Sequence, residues 1–126
     1  MKTSLVAAAL IAFASSAMAQ HALTRVTPDA LAWKDNPAFP KGIRIATLVG
    51  DPTKTGEVVV LRIKFPANSR IPPHTHPYAE VVTLISGSIW SSAGEKFEKK
   101  GAILQVQFIG PGGITYINPA DDPRKK

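Results

Sequence analysis

His74-Thr75-His76-Pro77-Tyr78-Ala79-Glu80-Val81-Val82-Thr83-Leu84-Ile85-Ser86-Gly87 is the stretch that decides how this chain folds. It sets two of the three histidines, a glutamate and a glycine in the spacing H-x-H-x3-E-x6-G. Residues two apart on a strand share a face, so His74 and His76 point the same way. Pro77 has no N–H to give a ladder, so that strand ends there. The chain turns through Tyr78-Ala79, and Glu80 opens the next strand with the parity of Val82 and Leu84, which face inward. Two imidazoles and a carboxylate brought together in this way form a facial ligand set with open coordination positions. Such a set suits Fe(II), Mn(II), Ni(II) or Zn(II). A lone H-x-H in a proline-rich loop reads as two surface histidines. The correctly phased glutamate, the rigid Pro72-Pro73 approach and the apolar strand that follows favour a metal site made of His74, His76 and Glu80.

Working outward, residues 81–85 are apolar on both faces, and a strand of that kind is buried on both. No helix is evident to cover the second face, so a second sheet or a second subunit is expected, and a homodimer follows from that. Upstream, Val58–Phe65 is the clearest strand, with Val59, Leu61, Ile63 and Phe65 on one face and Arg62 and Lys64 on the other. Residues 43–49 and 102–109 alternate in the same way. Ser86-Gly87-Ser88 reads as a turn before a short strand at Ile89-Trp90. Ala93-Gly94-Glu95-Lys96 reads as a hairpin loop, and Gly110-Pro111-Gly112-Gly113 as a sharp turn into a last strand at 114–117. Residues 20–42 read as an extended arm with one short turn, from which Leu31 and Trp33 dock on the core. Residues 118–126 read as a polar tail. Five to seven short strands at close spacing predict an all-β sandwich or barrel.

Residues 1–19 carry the marks of a secretory signal peptide. Lys2 gives a positive start, 5–14 form an apolar run too short to span a bilayer, and Ala17-Met18-Ala19 is a small-x-small cleavage site. The expected mature domain is 20–126, periplasmic or secreted, with no other membrane segment. Without Lys2 the chain keeps 14 Lys and Arg against 9 Asp and Glu, a net charge of +5. That excess is dispersed and lacks the continuous basic stripe with interleaved aromatics of a nucleic-acid binder, so no nucleic-acid partner is expected. The absence of cysteine excludes disulfides, thiolate metal sites and a lipidated N-terminal cysteine.

The segment from Asn68 to Gly87 resembles the first motif of the cupin superfamily, G-x5-H-x-H-x3,4-E-x6-G. His74, His76, Glu80 and Gly87 match it. Asn68 stands at the family's first glycine, a mild departure because asparagine tolerates the left-handed conformation. The flanking text from Lys64 to Pro77, and Gly110-Pro111 through Pro119, is similar to small secreted bacterial cupins. The resemblance implies a small jelly-roll barrel with one metal at its mouth.

The family's second motif supplies a third histidine, and no histidine follows His76 here. Pro111-Gly112-Gly113-Ile114-Thr115-Tyr116 has tyrosine at the corresponding place and fits better as the closing turn and last strand. The resemblance therefore implies three protein ligands instead of four, and a barrel shortened or partly open by about two strands, with unpaired edges. His21 reads as a surface residue of the arm, and Gln105, Gln107 and Tyr116 as polar groups with structural roles. Trp90 and Phe108 read as core or rim hydrophobes, and Tyr78 as the candidate for the pocket mouth. Three functions are open: a metal-binding cupin of the cell envelope taking a small polar ligand, a metal-dependent dioxygenase or isomerase, and a metal-free interaction module. No further carboxylate or histidine stands beside the set to serve as a general base, which counts against the enzyme.

Overall fold

The computed structural model describes residues 25–90 and 95–126, and of 95–100 the backbone alone. The expected signal peptide and His21 lie outside the described residues. The protein is all-β, with antiparallel strands β1 (Lys34–Asp35), β2 (Arg44–Val49), β3 (Val58–Phe65), β4 (Arg70–Ile71), β5 (His74–Thr75), β6 (Glu80–Trp90), β7 (Glu95–Ile109) and β8 (Thr115–Tyr116). The main sheet runs β1-β2-β3-β7, with β6 on the far edge of β7 and β4 on the start of β7. β5 and β8 form a separate two-stranded ladder.

The alternation of β3 and of the second half of β7 sets the core. Val59, Leu61, Ile63 and Phe65 pair in register with Phe108, Val106, Leu104 and Ala102, and all eight are buried. One apolar face on each strand thus becomes one continuous apolar surface, because a period of two places every second side chain on the same side. Each large aliphatic buried there stabilises the fold by about 1.5–3 kcal/mol. Arg62 and Gln105 pair on the outer face, where Arg62 Nε donates to Gln105 Oε1 at 3.0 Å. The two-residue phase keeps Gln105 and Gln107 off the core face.

Two positions that flank the site take the left-handed backbone conformation. Asn68 is in the left-handed region at φ 59°, the one non-glycine residue to be so among the described residues. Gly87 has φ 83°, and a Cβ there would run into the Gly101 carbonyl oxygen and sit 2.8 Å from Ala102 Cα. Gly87→Ala combines left-handed strain with a backbone clash. It is expected to lower stability by more than about 2 kcal/mol, read from the midpoint of urea unfolding.

Four expectations are corrected. Residues 81–85 are not buried on both faces: β6 is an edge strand, and Val81, Val82, Leu84 and Ile85 are 62%, 42%, 45% and 45% exposed. Apolar character reports what a strand tolerates, and nothing within the described chain covers this one. The turn at 86–88 and the separate strand after it are instead one strand with irregularities near Ser86 and Ile89, because pairing with β7 carries through the glycine. Glu95 and Lys96 belong to β7, not to a hairpin loop. The tail is ordered as two 3-10 turns, 119–121 and 123–125, whose first N–H groups are capped by the Asn118 and Asp122 side chains. The described strands do not close into a barrel: among them β6 pairs with β7 alone.

Asp122 pins the tail to the domain. Arg124 donates to both Asp122 carboxylate oxygens at 2.8 Å and to the Ile114 carbonyl at 3.2 Å. Those hydrogen bonds from Arg124 hold the Asp122 carboxyl below its ordinary 3.8. A depressed folded value contributes stability that is present above the unfolded value and lost as pH falls through the folded one. Asp122→Asn is therefore expected to flatten the acid limb of stability from about pH 4 downward, seen by circular dichroism during acid titration.

Candidate metal centre

β5 is held against β8 with His74 opposite Tyr116, and β6 begins at Glu80 against Phe108 on β7. The chain between them, 76–79, crosses the rim of the sheet. His74, His76, Tyr78 and Glu80 consequently line one cavity of about 530 Å³. The spacing argument brings these side chains to one place, and the structure agrees.

Each histidine is oriented by a backbone carbonyl. His74 Nδ1 is 2.8 Å from the Pro72 oxygen, and His76 Nδ1 is 2.7 Å from the Gly113 oxygen. A carbonyl only accepts, so both Nδ1 atoms carry the hydrogen. In the neutral ring Nε2 is then the atom with the free lone pair. An N–H held by a carbonyl behind the ring is the usual support for a metal-binding imidazole.

His76 Nε2 lies 3.4 Å from Glu80 Oε1. A neutral imidazole and a carboxylate would meet lone pair to lone pair, so the contact calls for a proton or a cation between the two atoms. Two ligand atoms, each about 2.0–2.2 Å from one ion at a tetrahedral angle, are separated by about 3.4 Å. The pair therefore fits a metal. The His74 ring stands edge-on to that of His76, with centroids 4.9 Å apart. Among the described residues no three His, Asp or Glu side chains stand as a ready-made cage. His74 thus stands near the pair without closing a cage with it.

Tyr116 does not replace the missing histidine. Its ring is 5% exposed, and its hydroxyl donates to the Ala38 carbonyl at 2.8 Å, fastening the N-terminal arm instead of entering the site. Tyr78 does stand at the rim. Its ring stacks on Phe108 with centroids 4.2 Å apart, and its hydroxyl makes long contacts of 3.3–3.4 Å with Gly113. Burial is the main cause that pushes the Tyr78 phenol above its ordinary value; the Gly113 contact opposes this and the Glu80 charge adds to it. Tyr78 therefore stays a neutral hydroxyl at the mouth. Trp90, by contrast, is 65% exposed and does not line the cavity.

Below the polar rim the cavity wall is made by the core faces of β3 and β7, with Leu61, Ile63, Phe65, Leu104, Val106 and Phe108. Sequence reasoning missed the Pro72 and Gly113 carbonyls. Every residue carries a carbonyl, so nothing in residue identity marks these two. The Gly110–Gly113 turn signal is the only trace of the second.

No protein-family model, curated protein or solved structure matches this chain.

Proposed function

We propose that the chain is a small extracytoplasmic cupin-type domain that holds one divalent transition metal, Fe, Mn, Ni or Zn, through His74, His76 and Glu80. The observation that carries this reading is the pair of carbonyl-anchored Nδ1 atoms, which leave two Nε2 lone pairs at a cavity mouth, one of them 3.4 Å from a carboxylate oxygen. The conformations of Asn68 and Gly87 support the family motif around it. A shortened jelly roll, open along β6, is the form of the fold that agrees with this arrangement. The apolar run and A-x-A site in 1–19 support export. Metal content of the purified mature domain, beside that of the ligand variants, tests the reading.

A metal-dependent dioxygenase or isomerase is the second reading. The cavity continuous with the ligand set favours it, since a substrate could sit beside the open positions. When bound, the metal would act there as a Lewis acid or redox centre. His74, His76 and Glu80 would hold it, and Tyr78 would offer a neutral hydroxyl at the entrance.

The same proposal includes a homodimer built on the exposed part of β6 at 81–85. Residues 81–90 hold no charged side chain and no proline, in a chain of net charge +6. Exposed uncharged edges are templates for another strand. About a twofold axis each residue meets its own counterpart region, so like charges repel there and a neutral strand does not. A second copy of this chain is the partner that this edge fits.

A further inference from the structure

We propose that the cavity takes a molecule with an apolar body and a single oxygen-donor head, such as a hydrophobic monocarboxylate. This replaces the small polar ligand expected from the sequence. The placement of the head rests on the metal reading above; the character of the body rests on the cavity wall alone.

The wall is divided by burial. Every buried side chain that lines the cavity is apolar, the six from β3 and β7 together with Ile71 and Ile114. The polar lining residues are half-buried or exposed: His74, His76, Tyr78 and Glu80 run from β5 to the start of β6, and Lys34, Asp35 and Thr47 are exposed at the outer edge, where Asp35 pairs with Arg44. Arg124 also reaches the lining, but its guanidinium is already bound to both Asp122 oxygens and the Ile114 carbonyl. Thr53 donates to Asp51, and the Asn36 oxygen accepts from Ala38. A sugar or polycarboxylate entering below the rim would leave hydroxyls or charges facing Leu, Ile, Val and Phe side chains. Each polar group buried there without a partner carries its full desolvation penalty, and the penalties of several hydroxyls accumulate. An apolar ring meets no such penalty and displaces water that the wall cannot hydrogen-bond. A volume of about 530 Å³ is in the range of pockets for small organic ligands.

The head must suit the mouth. Glu80 repels an approaching carboxylate, whereas a cation held by His74, His76 and Glu80 attracts it. Carboxylate binding is therefore tied to the metal, and binding of a neutral apolar probe is not.

Cyclohexanecarboxylate and glucuronate each have a six-membered ring and one carboxylate and differ in the ring oxygen and hydroxyls of the second. In calorimetric titration of the zinc-loaded mature protein, the first is expected to bind at least about 100-fold more tightly than the second. Val82→Trp, which narrows the half-exposed rim of the cavity, should weaken the first about tenfold or more and leave zinc content unchanged. Cyclohexanol should bind with or without zinc and be lost in Val82→Trp. Glucuronate binding as tightly as cyclohexanecarboxylate, or neither acid binding zinc-loaded protein, would overturn the inference while leaving the metal reading intact. If the protein takes no zinc, the metal reading fails, and cyclohexanol decides the cavity: binding abolished by Val82→Trp upholds the apolar body, and no binding refutes it.

Discussion

His76→Ala and Glu80→Ala are each expected to reduce bound divalent metal from about one ion per chain to a few per cent of that after dialysis. Both variants should keep the wild-type circular dichroism. A four-ligand site that loses one donor falls back on three. Here the described ligands number three at the start, so a single loss leaves a bidentate site with little hold on the ion. His76 is the more sensitive position, because its Nε2 faces Glu80 while its Nδ1 is tied to Gly113. Losing the proposed ligand nitrogen should cost at least about 100-fold in affinity, and disturbing the carbonyl behind it about 10–100-fold. Titration of zinc against a chromogenic competitor gives both numbers. Equal metal in wild type and in both variants would sink the site. Retention in Glu80→Ala alone would show that the carboxylate is not a ligand.

Val81→Lys with Ile85→Lys is expected to convert the dimer to a monomer in sedimentation velocity. Both residues are well exposed in the single chain, at 62% and 45%, so a folded monomer tolerates the change. Across a twofold edge the two lysines of one copy face those of the other. Each lost aliphatic contact and each like-charge approach across paired strands costs about 0.2–1 kcal/mol, with further loss from the apolar area left in water. Twofold symmetry doubles every term, so the dissociation constant should rise by about 100-fold or more. A wild-type chain that sediments as a monomer at high concentration would refute the interface directly. The edge would then be an exposed strand guarded only by its irregularities near Ser86 and Ile89.

Where local chemistry alone sets the outcome, the sequence was a sufficient guide. β3 and the second half of β7 lie where their alternation places them, since no other phase buries Val59, Leu61, Ile63 and Phe65 together. Asn68 takes the left-handed turn, and Gly87 lies where a Cβ has no room. His74 and Glu80 lie on β5 and β6, and His76, which strand parity would have kept on the strand, lies just past the end of β5; all three line one cavity. β6 was misread because an apolar pattern states a preference for burial without supplying a cover. Its length was misread because Ser86-Gly87-Ser88 looks like a turn until a neighbouring strand is there to hold it extended. The tail was misread because its order comes from Arg124 reaching Asp122 and Ile114, a pairing invisible in composition.

The residues themselves thus determined an all-β chain, a core of two matched strands, and a histidine pair phased with a glutamate. These follow from periods of two and from the φ angles that single residues accept. Tertiary structure alone decided which ring nitrogens are left free, because carbonyls of Pro72 and Gly113 anchor the others from segments before and after the motif. It alone decided that Tyr116 turns away to Ala38, that the wall beneath the histidines is apolar, and that β6 pairs only with β7 among the described strands. Each of these depends on what lies across space from a residue, which its own identity does not encode.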